Sequence, residues 1–123
     1  LSAFARNGVF QLGIWLEGEY VGNIGFWYLS QELRCAEVGY WLGAEHRGRG
    51  VITKACRHLC GHLFSERDLN RIEIRCAETN LKSRAVPERL GFTLEGRLRE
   101  MGYTRDGLVG HLVYSLLKRE WQG

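Results

Sequence analysis

The segment Arg47-Gly48-Arg49-Gly50-Val51-Ile52 constrains this chain more than any other. It follows an apolar run with β character, Val38-Gly39-Tyr40-Trp41-Leu42, and precedes an amphipathic helical pattern that begins near Val51. A strand, a short glycine-rich loop and a helix make a shape suited to phosphate. The helix N-terminus offers N–H donors without intrahelical acceptors and a partial positive charge, and Gly48 and Gly50 let an anion approach the backbone. Arg47 and Arg49 add cationic forks that match phosphate oxygens. The expectation is a site for a diphosphate-bearing ligand. Gly43 to Gly50 nearly imitates a P-loop, but Arg49-Gly50 stands where Lys-Ser/Thr is required, so the hydroxyl that binds Mg²⁺ is missing. A dinucleotide fingerprint is absent as well.

A length of 123 residues, 45% hydrophobic and 25% charged, suits one globular domain spanning 1–123. No run of about 18 apolar residues occurs, so no membrane span is expected. Leu1 to Gly8 lacks the basic-then-apolar order of a signal peptide. The net charge of +3 and the scattered basic residues do not point to nucleic acid. Cys35, Cys56, Cys60 and Cys76 fall inside predicted strands or helices, which suits reduced, core-packed thiols of a cytoplasmic protein. The first residue is Leu1 and the sole methionine is Met101, so the chain is expected to be trimmed at its N-terminus.

Phe10, Leu12, Ile14 and Leu16 alternate with Gln11, Gly13, Trp15 and Glu17, the pattern of a half-buried strand. A tight turn at Glu17-Gly18-Glu19 leads to a strand over Tyr20 to Tyr28, weakened or bulged at Gly22 and Gly25. Cys35 to Leu42 predicts a third, more buried strand, and the three form an antiparallel meander. Ile52, Ala55 or Cys56, Leu59 and Leu63 give the next helix its apolar stripe, to about Glu66. Arg71 to Cys76 alternates as a strand. Asn80 caps a second helix that runs to Leu90, where Gly91 supplies a left-handed end and Pro87 removes one backbone bond and bends the last turn. Two closing strands, Phe92 to Tyr103 and Leu108 to Leu117, meet at an Asp106-Gly107 hairpin turn. The order β-β-β-α-β-α-β-β predicts a mixed α/β fold, with parallel strands where 35–77 makes a β-α-β unit.

These residues carry a family resemblance. Tyr40-Trp41-Leu42 followed by His46-Arg47-Gly48-Arg49-Gly50-Val51-Ile52-Thr53-Lys54-Ala55 resembles the acetyl-coenzyme A signature of the GNAT superfamily, Gln/Arg-x-x-Gly-x-Gly/Ala. Asn70-Arg71-Ile72-Glu73, Asn80-Leu81-Lys82-Ser83-Arg84-Ala85-Val86 and Glu88-Arg89-Leu90-Gly91-Phe92 are similar to the branch that acetylates N-termini of ribosomal proteins. The resemblance implies a mostly antiparallel sheet whose splayed central strands hold acetyl-coenzyme A in a V-shaped cleft. It also implies roles. Backbone groups near Trp41 and Leu42 would hold the pantetheine and acetyl carbonyl. Amides of Gly48, Arg49, Gly50, Val51 and Ile52, with Arg47, would hold the diphosphate, and Asn80 and Ser83 would line the arm beside the sulfur. Three departures stand out. Ile52 replaces Gly or Ala, so its amide still donates while its side chain has to turn outward. Glycines occupy positions 102 and 110, where similar proteins often carry acids. The strand and two helices that usually precede the first predicted strand, and that wall the acceptor pocket, are absent.

The implied reaction is attack of a free amine on a thioester carbonyl, through a tetrahedral oxyanion, with loss of a thiolate. Both reactants must be held in line, the oxyanion met by fixed donors and two protons moved. An α-amine titrates at about 7.7–8.0 and a lysine at about 10.4, so an N-terminal acceptor asks less of its base. Ser83 is the candidate proton donor to the thiolate, or else only a first-turn cap. Glu37 and Glu100 are candidate bases, each equally readable as a solvated strand-edge charge. Glu100 could stand in for the missing acid at 102 if a two-residue step keeps it on the same strand face. His58 and His62 flank Cys60, one turn after Cys56, but no second ligand cluster follows at zinc-finger spacing, and no metal is expected. Trp15, Trp27, Trp41 and Trp121 read as sheet and core aromatics. The expected partners are acetyl-coenzyme A and a protein N-terminus, with no nucleic acid or membrane, and a homodimer is left open. Rival readings are a small-amine acetyltransferase (antibiotic, polyamine or amino-acid conjugate), a catalytically inactive acetyl-coenzyme A-binding remnant or regulatory module, and a nucleic-acid binder using Arg71, Arg75 and the loop arginines Arg47 and Arg49.

Overall fold

The computed structural model describes residues 2–6, 8–43 and 50–123, and of residues 2–6 the backbone course alone. Strands β1 (Ser2–Arg6), β2 (Val9–Leu16), β3 (Glu19–Ser30) and β4 (Cys35–Leu42) are followed by helix α1 (Val51–Ser65), β5 (Arg71–Ala77) and helix α2 (Leu81–Arg89). Strands β6 (Thr93–Thr104) and β7 (Gly107–Leu117) close the chain with a short 3-10 turn at Lys118–Glu120. One sheet holds all seven strands in the order β1-β2-β3-β4-β5-β7-β6. Every neighbouring pair is antiparallel except β4 and β5.

The predicted meander is present, and one strand precedes it that periodicity did not reveal. Ser2–Arg6 is too short to show alternation and is defined by its pairing with β2, Ser2 opposite Gly13 through Arg6 opposite Val9. The closing hairpin also shifts by one residue: Thr104 pairs with Gly107, so the turn is Arg105-Asp106 and Gly107 begins β7 with φ 116°.

Alternation turns Ile14, Ile24, Val38, Ile72, Ile74, Leu112, Tyr114 and Leu116 to one face, where α1 lays Ile52, Ala55, Cys56, Leu59, Cys60, Leu63 and Phe64 upon them. Each fully buried aliphatic contributes about 1.5–3 kcal/mol of transfer free energy. The four cysteines are buried and carry no disulfide. Sγ of Cys56 and Cys60 lie 4.0 Å apart on the core stripe of α1. Trp121 packs on Phe64 with ring centroids 5.7 Å apart, whereas Trp15 and Trp41 stand about half exposed on their strands, so only part of the tryptophan set is core.

Candidate active site

Strands β4 and β5 run side by side for four residue pairs, from Cys35 beside Arg71 to Val38 beside Ile74. Beyond that point β4 continues to Leu42 along β3, and β5 continues to Ala77 along β7. The sheet therefore opens into a V. Gly43 donates its N–H to the Val21 carbonyl at 2.9 Å, and strand alternation then turns the main-chain groups of Tyr40 and Leu42 toward the opening.

A cleft of about 480 Å³ opens beside the parted end of β4. One wall is Tyr40, Trp41 and Leu42, the second is Gly50 to Thr53, and the third is one side of α2 with its cap, from Asn80 to Arg89. Gly50 precedes α1 in the left-handed conformation at φ 72°, where a Cβ would be strained, and no side chain caps this end. The first intrahelical bond runs from Lys54 N–H to Gly50 O at 3.0 Å, so the Val51, Ile52 and Thr53 amides have no acceptor within the helix. They end at the cleft with the positive pole of the helix. None of the described lining residues is acidic, and Lys82 and Arg89 add two cations that the sequence reading did not single out. Uncapped amides and an excess of positive charge beside the parted end of β4 fit a phosphate-bearing thioester.

The sequence-derived residues divide into groups. Trp41, Leu42, Gly50, Val51, Ile52, Asn80 and Ser83 meet around the cleft. Arg47, Gly48 and Arg49 lie outside the described residues. Ile52 corrects one expectation: at 8% exposure it belongs to the core, so its side chain turns inward beneath the helix instead of outward. Asn80 caps α2, its Oδ1 accepting the Ser83 N–H at 3.1 Å, and Ser83 is half-buried beside Tyr40.

The two glutamates part company. Glu37 lies on the sheet face opposite the helices, beside the last paired rung of the V. Burial, the largest influence, pushes its carboxyl above the usual range; the Arg75 guanidinium 3.8 Å away and a hydrogen bond from Trp27 pull it back, while Glu73 adds to the rise. The Trp27 ring covers Gly39 so closely that a Cβ there would sit 3.0 Å from it. Glu100 sits exposed at φ 55° on β6, an edge strand, inside a register shift between Leu98 and Gly102. The bulge cancels the same-face step from residue 102, and Glu100 does not line the cleft.

At the glycine at 110 an arginine side chain takes the space that a Cβ would enter. A Cβ there would lie 2.7 Å from Cζ of Arg97, whose guanidinium holds Glu78 through Nε (2.5 Å) and Nη2 (2.9 Å), while Gly110 N–H donates to the same carboxylate at 3.1 Å. Arg97 first, then the Gly110 amide, hold the Glu78 carboxyl down at about 2. A carboxylate from the turn before α2 thus occupies this part of the sheet. Arg71 and Arg75 are likewise engaged, bridging Glu73, Glu95 and Glu37, and their guanidiniums are committed within the molecule. Among the described residues no group of three or more His, Cys, Asp or Glu side chains could hold a metal, and no helix is long and apolar enough to cross a membrane.

The family model described as the acetyltransferase (GNAT) domain matches residues 2–93. This chain belongs to the GNAT acetyltransferase family. It is 48% identical over 118 residues to the putative ribosomal N-acetyltransferase YdaF of Bacillus subtilis (strain 168), a match covering 95% of this chain and 63% of that protein. A crystal structure of a probable acetyltransferase superposes with a TM-score of 0.88 at 44% identity, over 94% of this chain and 65% of that one. A ribosomal L7/L12 alpha-N-protein acetyltransferase, solved with coenzyme A in disulfide linkage to a cysteine, gives a TM-score of 0.82 at 27% identity, over 89% of this chain and 62% of that one. The GNAT chain described here spans between half and two thirds of the length of such curated relatives.

Proposed function

We propose that this chain is the catalytic domain of an acetyl-coenzyme A-dependent N-acetyltransferase whose acceptor is the N-terminal α-amine of a protein. The observation that carries the reading is the parting of β4 from β5 beyond Val38 and Ile74, with an uncapped helix N-terminus on one side and a serine hydroxyl on the other. The thioester supplies an activated acetyl group; the chain's own residues do the rest. Amides at the start of α1 hold the diphosphate, with Arg47 and Arg49 as charge partners. Main-chain groups of β4 at Tyr40 and Leu42, on either side of Trp41, orient the acyl arm. Ser83 Oγ delivers a proton toward the leaving sulfur. Glu37, on the opposite face beside the apex of the V, takes the proton from the amine, and its raised carboxyl makes it a stronger base than an ordinary glutamate. An α-amine is already partly neutral near pH 7, which suits so modest a base. A ribosomal protein is the acceptor class that the relatives' names support.

The test has two arms. Calorimetry of acetyl-coenzyme A against wild type and Arg47→Glu should show binding weakened by about 2–4 kcal/mol, from lost charge-assisted bonds and added repulsion. Equal affinities would reject the loop assignment. Thiol release should then be followed with a peptide bearing a free N-terminal serine, an N-blocked peptide with a lysine, and spermidine. Activity confined to spermidine would overturn the protein-acceptor reading, and binding without thiol release from any amine would leave a coenzyme-binding module.

A further inference from the structure

One hydroxyl joins two walls of the cleft. Pro87 lies inside α2 and has no N–H, so the Ser83 carbonyl, four residues earlier, lacks its helical donor. A carbonyl left orphaned away from water costs about as much as a lost hydrogen bond. Tyr40 supplies the missing donor: its hydroxyl donates to the Ser83 carbonyl at 2.9 Å, and Ser83 Oγ in turn lies 3.5 Å from the Tyr40 hydroxyl oxygen, to which it donates. Burial, the largest influence, pushes the Tyr40 phenol well up, so it stays a protonated donor at neutral pH. The Ser83 main chain is thus gripped twice, by Asn80 at its amide and by Tyr40 at its carbonyl.

We propose that Tyr40 is a positioning residue: its hydroxyl replaces the N–H that Pro87 lacks, ties the first turn of α2 to β4, and so sets where the Ser83 hydroxyl stands in the cleft. This inference rests on the acetyltransferase reading of the site. It predicts coupling between Tyr40 and Pro87, two residues with no chemistry in common. Restoring an N–H at residue 87 should make the tyrosine hydroxyl dispensable.

Wild type, Tyr40→Phe, Pro87→Ala and the double variant form the test set. Each is assayed by thiol release from acetyl-coenzyme A with a peptide bearing a free N-terminal serine, by calorimetry with coenzyme A, and by thermal melts. Tyr40→Phe keeps the ring and removes the hydroxyl; kcat should fall about 10–100-fold, since a misplacement on the order of 1 Å can cost about 100-fold. KM for acetyl-coenzyme A and the calorimetric affinity should stay near wild type, as should kcat of Pro87→Ala. The double variant should recover most of the lost kcat. An unchanged kcat in Tyr40→Phe, or a folded double variant no faster than Tyr40→Phe, overturns the proposal. Should Tyr40→Phe not fold, a folded, active double variant supports it, and failure of both to fold overturns it. Wild type that binds coenzyme A but releases no thiol removes the acetyltransferase reading instead. The tie between β4 and α2 is then judged by the melts, where Pro87→Ala must cancel the loss caused by Tyr40→Phe.

Discussion

Replacing Arg71 by methionine should destabilise this domain far more than removal of an ordinary surface arginine. Glu37 and Glu73 stand opposite one another on parallel strands at the apex of the V, a pairing of like charges that is unfavourable by itself. Arginines compensate. Arg71 gives Nε and Nη2 to Glu73 Oε2, both at 3.1 Å, and holds Glu95 at 2.7 and 3.1 Å; Arg75 holds Glu73 Oε1 at 3.0 and 3.1 Å. The Glu73 side chain is 10% exposed, so its oxygens have little access to water once Arg71 is gone. Charge-assisted bonds contribute roughly 1.5–3 kcal/mol each. Breaking a fully buried pair costs about 3–5 kcal/mol, but here Arg75 still neutralises Glu73 and the total is smaller. The Glu95 side chain is 43% exposed and adds at most about 1 kcal/mol. Methionine keeps the packing of the aliphatic stem. The expected loss is about 2–4 kcal/mol in urea melts at pH 7, or about 8–16 °C in Tm at roughly 4 °C per kcal/mol. In a Glu73→Gln background the same change should cost at least about 1 kcal/mol less, because the neutral amide no longer depends on the guanidinium. A loss of under about 0.5 kcal/mol, or full additivity of the two changes, would refute the reasoning.

Glu37→Gln should lower kcat about 10²–10⁴-fold, the usual contribution of a positioned base, and abolish the acid limb of the pH–rate profile, which in wild type falls as pH drops through the raised Glu37 value; a retained limb would exclude Glu37 as the titrating group. Gly22→Ala should cost about 1–3 kcal/mol of overpacking and weaken coenzyme binding, because its Cβ would collide with the Trp41 carbonyl and lie 3.0 Å from Leu42 Cα on the cleft wall; a melt and affinity equal to wild type would contradict this. Glu78 and Glu95 are held down at about 2, below their unfolded values, so their stabilisation is complete above about pH 4.3 and is lost as pH falls toward 2. Melting temperature should drop across that window, and Glu95→Gln should flatten part of the drop; an unchanged slope would count against the ion pairs.

Local signals were legible where the physics is local. The period of two in Phe10 to Leu16, the apolar stripe of α1 and the Asn80 cap depend on neighbours within a few residues, and each appears in the structure. The glycine before α1 was legible for the same reason. Glu100 was not, because its facing depends on a bulge that is a property of the pairing with β7 and not of the strand's own pattern. Tyr40 was quoted only as part of a strand motif. Its signal was Pro87, which announces a carbonyl without a donor, but only the packing of α2 against β4 says which side chain answers.

Taken alone, the order of residues determined the class of fold and the helix that starts after Gly50, and its spaced motifs carried the resemblance to the family. These follow from side-chain periodicity, caps and motif spacing, which act over one or two turns of chain. Tertiary structure alone decided where β4 leaves β5, which carboxylate stands at that fork, and that a side chain at 110 would meet the Arg97 guanidinium. Each of those depends on register between strands far apart in the chain, and register is settled by the whole core packing at once.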